Sequence, residues 1–165
     1  MRSDWVSDET MSHIMAALMP ENRLAIEMSM RYGMRIGDVL ATKTEEVKKG
    51  AWTYTEEKTG KHRRIRLCES FQQRLLERSG RLYAFPHRLD WKKHRTRQAV
   101  YKDIRRAAQA FRVEAHVSPH TARKMYAVSA YKRYGSMTKV KELLNHSSEA
   151  VTMIYALADA ITAKG

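Results

Sequence analysis

The sequence predicts a mainly α-helical protein with one small antiparallel β-sheet, an α+β fold in a single domain. Three observations predict it. Apolar residues recur at i, i+3, i+4 and i+7 along most of the 165 residues. The period drops to two around residues 51–67. Helix punctuation by Ser/Asp caps, Pro20, Gly33, Ser118-Pro119 and Gly135 cuts the remainder into short helices.

The elements follow in order. Met11, Ile14, Met15 and Leu18 form one apolar stripe behind the caps Ser7 and Asp8. Pro20 ends that helix and opens the next, which runs through Leu24, Ile26 and Met30 to Gly33 at its C′ position. A short helix carries Ile36, Val39 and Leu40. Trp52 and Tyr54, then Ile65 and Leu67, alternate about the turn Thr59-Gly60-Lys61 as a β-hairpin. Helical spacing returns over Ser70–Arg78 and over Thr96–Phe111. Ser118 and Pro119 start a helix that Gly135 ends. Val140, Leu143 and Leu144 mark a short helix closed near Asn145, and Ser147 or Ser148 caps a last one through Val151, Ile154 and Leu157. A single domain over residues 1–165 is expected, because no Pro/Gly/Ser-rich linker, repeat or low-complexity tract divides the chain.

Composition narrows the function. Lys+Arg number 31 against 18 Asp+Glu, a formal charge of +13. The excess is concentrated: residues 1–57 carry net −3, residues 58–106 net +12 and residues 107–165 net +4. Self-repulsion opposes folding so basic a stretch together without an anionic partner, which points to nucleic acid. An apolar fraction of 43% is too high for a disordered basic tail. Cys68 is the single cysteine, so a disulfide framework and a cysteine-rich zinc module are excluded. No run of 18 apolar residues or signal-type h-region is found, so a membrane partner is not expected and a cytoplasmic location is.

No phosphate-binding glycine loop, dinucleotide fingerprint, HExxH or GxSxG is present. Four other stretches stand out. Arg35 follows a helix-ending Gly at the head of a helix that also carries Asp38. Lys58 and Lys61 occupy the hairpin tip. His120 and Arg123, three apart in the first turn of a capped helix, project from one face beside free N–H groups, which suits a phosphate. Leu143-Leu144-Asn145-His146-Ser147-Ser148 is followed, nine residues after His146, by Tyr155. Taken singly these read as a surface ion pair, a solubilising tip, a capped helix and packing residues.

In this order and spacing, RIGDVL, EKTGKHRRIRL, HTAR and ELLNHSSEAVTMIY resemble the arginine, lysine, H-x-x-R and closing boxes of the tyrosine recombinase catalytic domain. The resemblance spans about residues 8 to 157. It implies that fold, and a site-specific DNA recombinase working through a 3′-phosphotyrosyl intermediate. Tyr155 would be the nucleophile, and Arg35 and Arg123 the clamp on the non-bridging oxygens. Lys58 would protonate the leaving 5′-oxygen, with Lys61 as its rival. His120 would exchange a proton with the tyrosine or hydrogen-bond the phosphate, His146 would donate to a non-bridging oxygen, and Asp38 would orient a neighbouring basic residue. Covalent storage of the phosphodiester bond energy removes the need for ATP, and the two arginines would stabilise the transition-state charge as Mg²⁺ does elsewhere, so no cofactor and no metal are expected. Lys61, Arg63, Arg64, Arg95, Arg97, Lys102, Arg105 and Arg106 are expected to follow the backbone of double-stranded DNA. The implied assembly is a monomer in solution and a homotetramer on paired sites, in a bacterial cell or phage-infected host, associated with the nucleoid. Lys124 stands where the family often has His, Asn145 where Gly is usual and Arg66 where Pro is frequent. The N-terminal clamp domain common in the family is expected to be absent. A catalytically idle DNA-binding regulator and a type IB topoisomerase remain as alternatives.

Overall fold

The computed structural model describes residues 4–145. Two helices open the chain. Helix α1 (Asp8–Ala17) is capped by Ser7, whose Oγ accepts from the Thr10 N–H at 3.2 Å, and it buries Met11 and Ile14. Helix α2 (Pro20–Tyr32) has Pro at its first turn, where a missing N–H costs nothing. Asp103, from far along the chain, accepts from the Met19 N–H at 2.9 Å and the Asn22 amide at 2.8 Å, which caps α2 from outside. Gly33 ends α2 at φ 68°. A Cβ on Gly33 would lie 2.5 Å from the Tyr126 ring, so both the turn and the packing demand glycine.

Helix α3 (Ile36–Leu40) follows, then α4 (Thr44–Lys49). The sequence reading passes over α4 because six residues with two buried positions, Thr44 and Val47, leave no periodic apolar stripe. Strands β1 (Ala51–Thr55) and β2 (His62–Arg66) pair antiparallel with Trp52 opposite Ile65 and Tyr54 opposite Arg63. Trp52 and Ile65 face the core while Thr53 and Arg64 face outward, the alternation expected of a sheet with one buried face.

Helix α5 (Glu69–Arg78) lies against α4 and buries Phe71 and Leu75. An irregular stretch to Thr96 is held by isolated bridges, Lys43 to Tyr83 and Pro86 to His94. Thr96 caps α6 (Arg97–Ala110), whose Val100, Ile104, Ala107 and Ala108 are buried. Ser118 and Thr121 form a reciprocal cap at the start of α7 (Pro119–Tyr134), which lies against α2. Helix α8 (Met137–Leu143) lies on α7 over a small second core of Ala127, Ala130, Val140 and Leu144. It closes at Asn145, φ 61°, a left-handed turn that asparagine tolerates better than most residues. The expected last helix through Val151 and Leu157 lies outside the described residues.

This is the mainly helical fold with a two-stranded antiparallel sheet that the sequence predicts. Among the described residues no helix is long and apolar enough to cross a membrane.

Candidate functional site

Local structure fixes each basic group before any ligand is considered. Arg35 sits at the N-cap of α3 with extended backbone (φ −67°, ψ 145°), two residues after the Gly33 turn. Its Nη1 pairs with Oε2 of Glu56, a carboxylate 1% exposed. Arg123 lies in the first turns of α7 and is itself 1% exposed, the largest fully buried side chain described. Its Nε donates to the Gly33 carbonyl at 2.9 Å. The same carbonyl accepts from Arg63 Nη1 at 3.1 Å, and Arg63 Nη2 donates to the Tyr32 carbonyl. The C-terminal end of α2, where carbonyls lack helical partners, therefore holds two guanidinium groups.

Asp38, at the third position of α3, is 8% exposed and accepts from the Glu57 N–H at 3.1 Å. Burial pushes its carboxyl above the ordinary 3.8. The Glu57 N–H lowers it and Arg35 opposes the rise, but the nearby Glu56 and Glu57 charges add to it. Asp38 thus ties α3 to the hairpin just ahead of Lys58.

These elements converge on one cleft of about 400 Å³, lined by Arg35, Asp38, Lys58, Arg97, His120 and Arg123 together with Ser29, Ile36, Gly37, Glu57 and Pro119. Four of the residues expected to be catalytic, from three separated stretches of sequence, share its wall, and Asp38 joins them. A more open cavity of about 460 Å³ continues from it past Ile36, Arg97, Pro119 and His120 to Gln98, Tyr101 and His116. Lys58 lines the cleft, whereas Lys61 directs Nζ to the Asn145 carbonyl at 3.1 Å. His146 and Tyr155 lie outside the described residues; Asn145 immediately precedes His146.

The basic residues expected on DNA separate into groups. Arg97 is exposed and lines both cavities. Arg64 and Lys102 are exposed, and Arg95 and Arg105 are half-buried. Arg63 is engaged with the α2 carbonyls. Arg106 donates to Asp103 at 2.6 Å and to the Ala17 carbonyl at 2.5 Å, so its guanidinium holds α6 to the end of α1. The sequence gives no warning of these inward roles, because charge runs carry no sign of direction. It also gives no warning of Glu56. Among the described residues no three His, Cys, Asp or Glu side chains gather as a metal-ligand group.

A family model, the Phage integrase family, matches residues 4–160. The chain belongs to the phage integrase family. A relative in Bacillus subtilis (strain 168), described as a probable integrase/recombinase YoeC, is 32% identical over 142 residues, 79% of this chain and 74% of its own length. The fold of this family member also matches solved structures. XerA recombinase superposes with a TM-score of 0.72 at 20% identity, over 99% of this chain and 64% of its own. A lambda integrase dimer bound to a COC′ core site gives 0.74 at 21%, over 90% and 59%. The catalytic domain of bacteriophage HP1 integrase gives 0.65 at 17%, over 98% and 95%. The chain thus spans less than two thirds of XerA recombinase and of the lambda integrase chain, and nearly all of the HP1 catalytic domain.

Proposed function

We propose that this phage integrase family member is a site-specific DNA recombinase that cuts and rejoins strands through a 3′-phosphotyrosyl intermediate, residues 1–165 acting as the catalytic domain. The observation that carries the proposal is the convergence of Arg35, Lys58, His120 and Arg123 on one cleft. Three or four permanent or potential cations around one concave space suit a group that gains negative charge as it reacts. A phosphodiester passing through a pentacoordinate transition state is such a group.

In this reading the Tyr155 phenol oxygen forms a bond to phosphorus, and the bond from phosphorus to the 5′-oxygen breaks. His120 takes the phenol proton, and Lys58 gives a proton to the departing 5′-oxygen. Arg35 and Arg123 each offer paired N–H donors to the non-bridging oxygens and stay charged at any working pH. His146 donates to the same phosphate. Attack by a 5′-hydroxyl reverses the steps and releases Tyr155, so the bond is conserved and no external energy source enters. Asp38 acts through the hairpin as a positioning residue for Lys58.

Double-stranded DNA is the partner. Arg97, Arg64 and Lys102 are exposed basic groups suited to its backbone. A monomer in solution, a homotetramer on paired sites, and a cytoplasmic, nucleoid-associated location in a bacterial cell or phage-infected host belong to the same proposal.

The test is covalent capture. A pool of nicked duplexes with a randomised core traps the cleaved state because the short 5′-hydroxyl fragment diffuses away. The wild type is expected to give an SDS-resistant protein–DNA adduct, and Tyr155→Phe none. Binding without an adduct in the wild type would point instead to an idle regulator.

A further inference from the structure

Glu56 occupies a junction. Its carboxylate takes Arg35 Nη1 on Oε2 and the Asn145 amide on Oε1, the latter at 2.7 Å. Its backbone closes the hairpin tip: its N–H donates to the Lys61 carbonyl and its carbonyl accepts from the Gly60 N–H, both at 2.8 Å. Asn145 in turn donates to the His62 carbonyl at 3.1 Å and accepts Lys61 Nζ on its own carbonyl. One residue therefore joins the head of α3, the tip of the hairpin and the end of α8, stretches separated by 21 and 89 positions in sequence.

A carboxylate 1% exposed is an expensive core residue, since desolvating it costs several kcal/mol unless charge and hydrogen bonds compensate. An apolar side chain would fill the space more cheaply. The charge has a use if its task is to hold Arg35. Glutamate brings two acceptor oxygens at a fixed angle, one for Arg35 and one for Asn145. Asn145 fits the same purpose: at φ 61° glycine would take the turn with less strain but has no amide to give.

We propose that Glu56, held by Asn145, is a positioning residue for strand cleavage. It fixes the Arg35 guanidinium toward the cleft and, through Asn145, holds the end of α8 to the hairpin, one residue ahead of His146 in the sequence. This rests on the recombinase reading above. It adds two residues that act through Arg35 and the closing box without touching DNA.

The test is single-turnover adduct formation on the nicked duplex pool, with DNA affinity measured in parallel. Glu56→Ala is expected to slow adduct formation about 100-fold at saturating DNA, the cost of a small misplacement of a reacting group, with affinity unchanged. Glu56→Gln, which keeps one oxygen for Arg35 but loses the charge and the second acceptor, is expected to recover part of the rate. Asn145→Ala and Asn145→Gly should both be slow, and the double variant Glu56→Ala/Asn145→Ala no slower than Glu56→Ala alone, since the two side chains act as one hydrogen-bonded pair. Independent structural losses would multiply instead. Should Glu56→Ala fail to fold, Glu56→Gln and Asn145→Ala carry the same comparison. A reacting wild type beside an unimpaired Glu56→Ala or Asn145→Ala, or a loss restored by more DNA, overturns this inference alone. A wild type that gives no adduct overturns the recombinase reading and this inference with it.

Discussion

Arg123 shows how a single side chain is prepared for its task. It is buried, its Nε is fixed on the Gly33 carbonyl, and its remaining donors are aimed by that anchor. Lysine keeps the charge but has neither the planar fork nor the Nε anchor. Arg123→Lys is therefore expected to lower the rate of adduct formation about 100-fold or more, the usual cost of losing one transition-state donor. A rate assay at saturating DNA checks this. Asp38 makes a prediction about pH. Burial raises its folded pKa above the ordinary 3.8, so the folded state favours the protonated form. Its contribution to stability is complete below 3.8 and is lost as pH rises through the raised value. Asp38→Asn keeps the acceptor for the Glu57 N–H and removes the charge. We expect the variant to melt higher than the wild type at neutral pH, and the gain to vanish in acid below 3.8. A gain that persists there would contradict the assigned cause. At this scale the H-x-x-R spacing made His120 and Arg123 readable from sequence. Glu56 was unreadable, because an acid beside a hairpin lysine looks like an ordinary solvated tip.

At the scale of elements, the C-terminal end of α2 is the support on which the site is built. Gly33 turns the chain, and its carbonyl holds Arg63 and Arg123. Gly33→Ala is expected to cost about 1–2 kcal/mol for the left-handed backbone and about 1–3 kcal/mol for overpacking against Tyr126. It should also slow cleavage by moving that carbonyl; thermal melting and the adduct assay read the two effects separately. The other end of α2 depends on Asp103. Burial alone would raise its carboxyl. Hydrogen bonds from Asn22, the Met19 N–H and Arg106 outweigh that and hold it below 3.8. Asp103→Ala should destabilise the fold by about 2–3 kcal/mol, as expected for lost bonds to a charged group. That deficit is present above 3.8 and shrinks as pH falls through the lowered folded value. Caps and breakers made most of these helices legible: Ser7, Pro20, Gly33, Pro119 and Gly135 mark real boundaries. Helix α4 was not legible, since it is too short to show a period. The Asp103 cap was not legible either, because no local pattern records a partner so far away in sequence.

Across the whole molecule, the charge of +13 is less uniform in use than in sequence. Arg74 pairs with Glu27, Arg78 with Glu21 and Arg106 with Asp103, so part of the +12 block between residues 58 and 106 holds α5 and α6 to the N-terminal helices. The acids Glu27 and Glu21 of the net-negative first third pair with Arg74 and Arg78, whereas Asp103 lies on α6 itself and orients Arg106 toward the Ala17 carbonyl. The basic groups left for DNA are fewer than a count suggests, yet the salt response should remain steep. With about four phosphates neutralised, affinity is expected to fall about 100-fold between 50 and 200 mM salt. A flat response would remove the backbone contacts from the account. The convergence of the arginine, lysine and H-x-x-R boxes on one cleft was legible only as an order of motifs; their meeting depends on α2, α3, the hairpin and α7 folding onto one another. The central claim is tested most directly by the chemistry of the trapped adduct. Each strand of the captured duplex is labelled at its 5′ end, and the adduct is digested and sequenced by mass spectrometry. The 5′ label is expected to travel with the protein and the nucleotide to sit on Tyr155. A nucleotide on any other residue, or a label left behind with the free fragment, would contradict it.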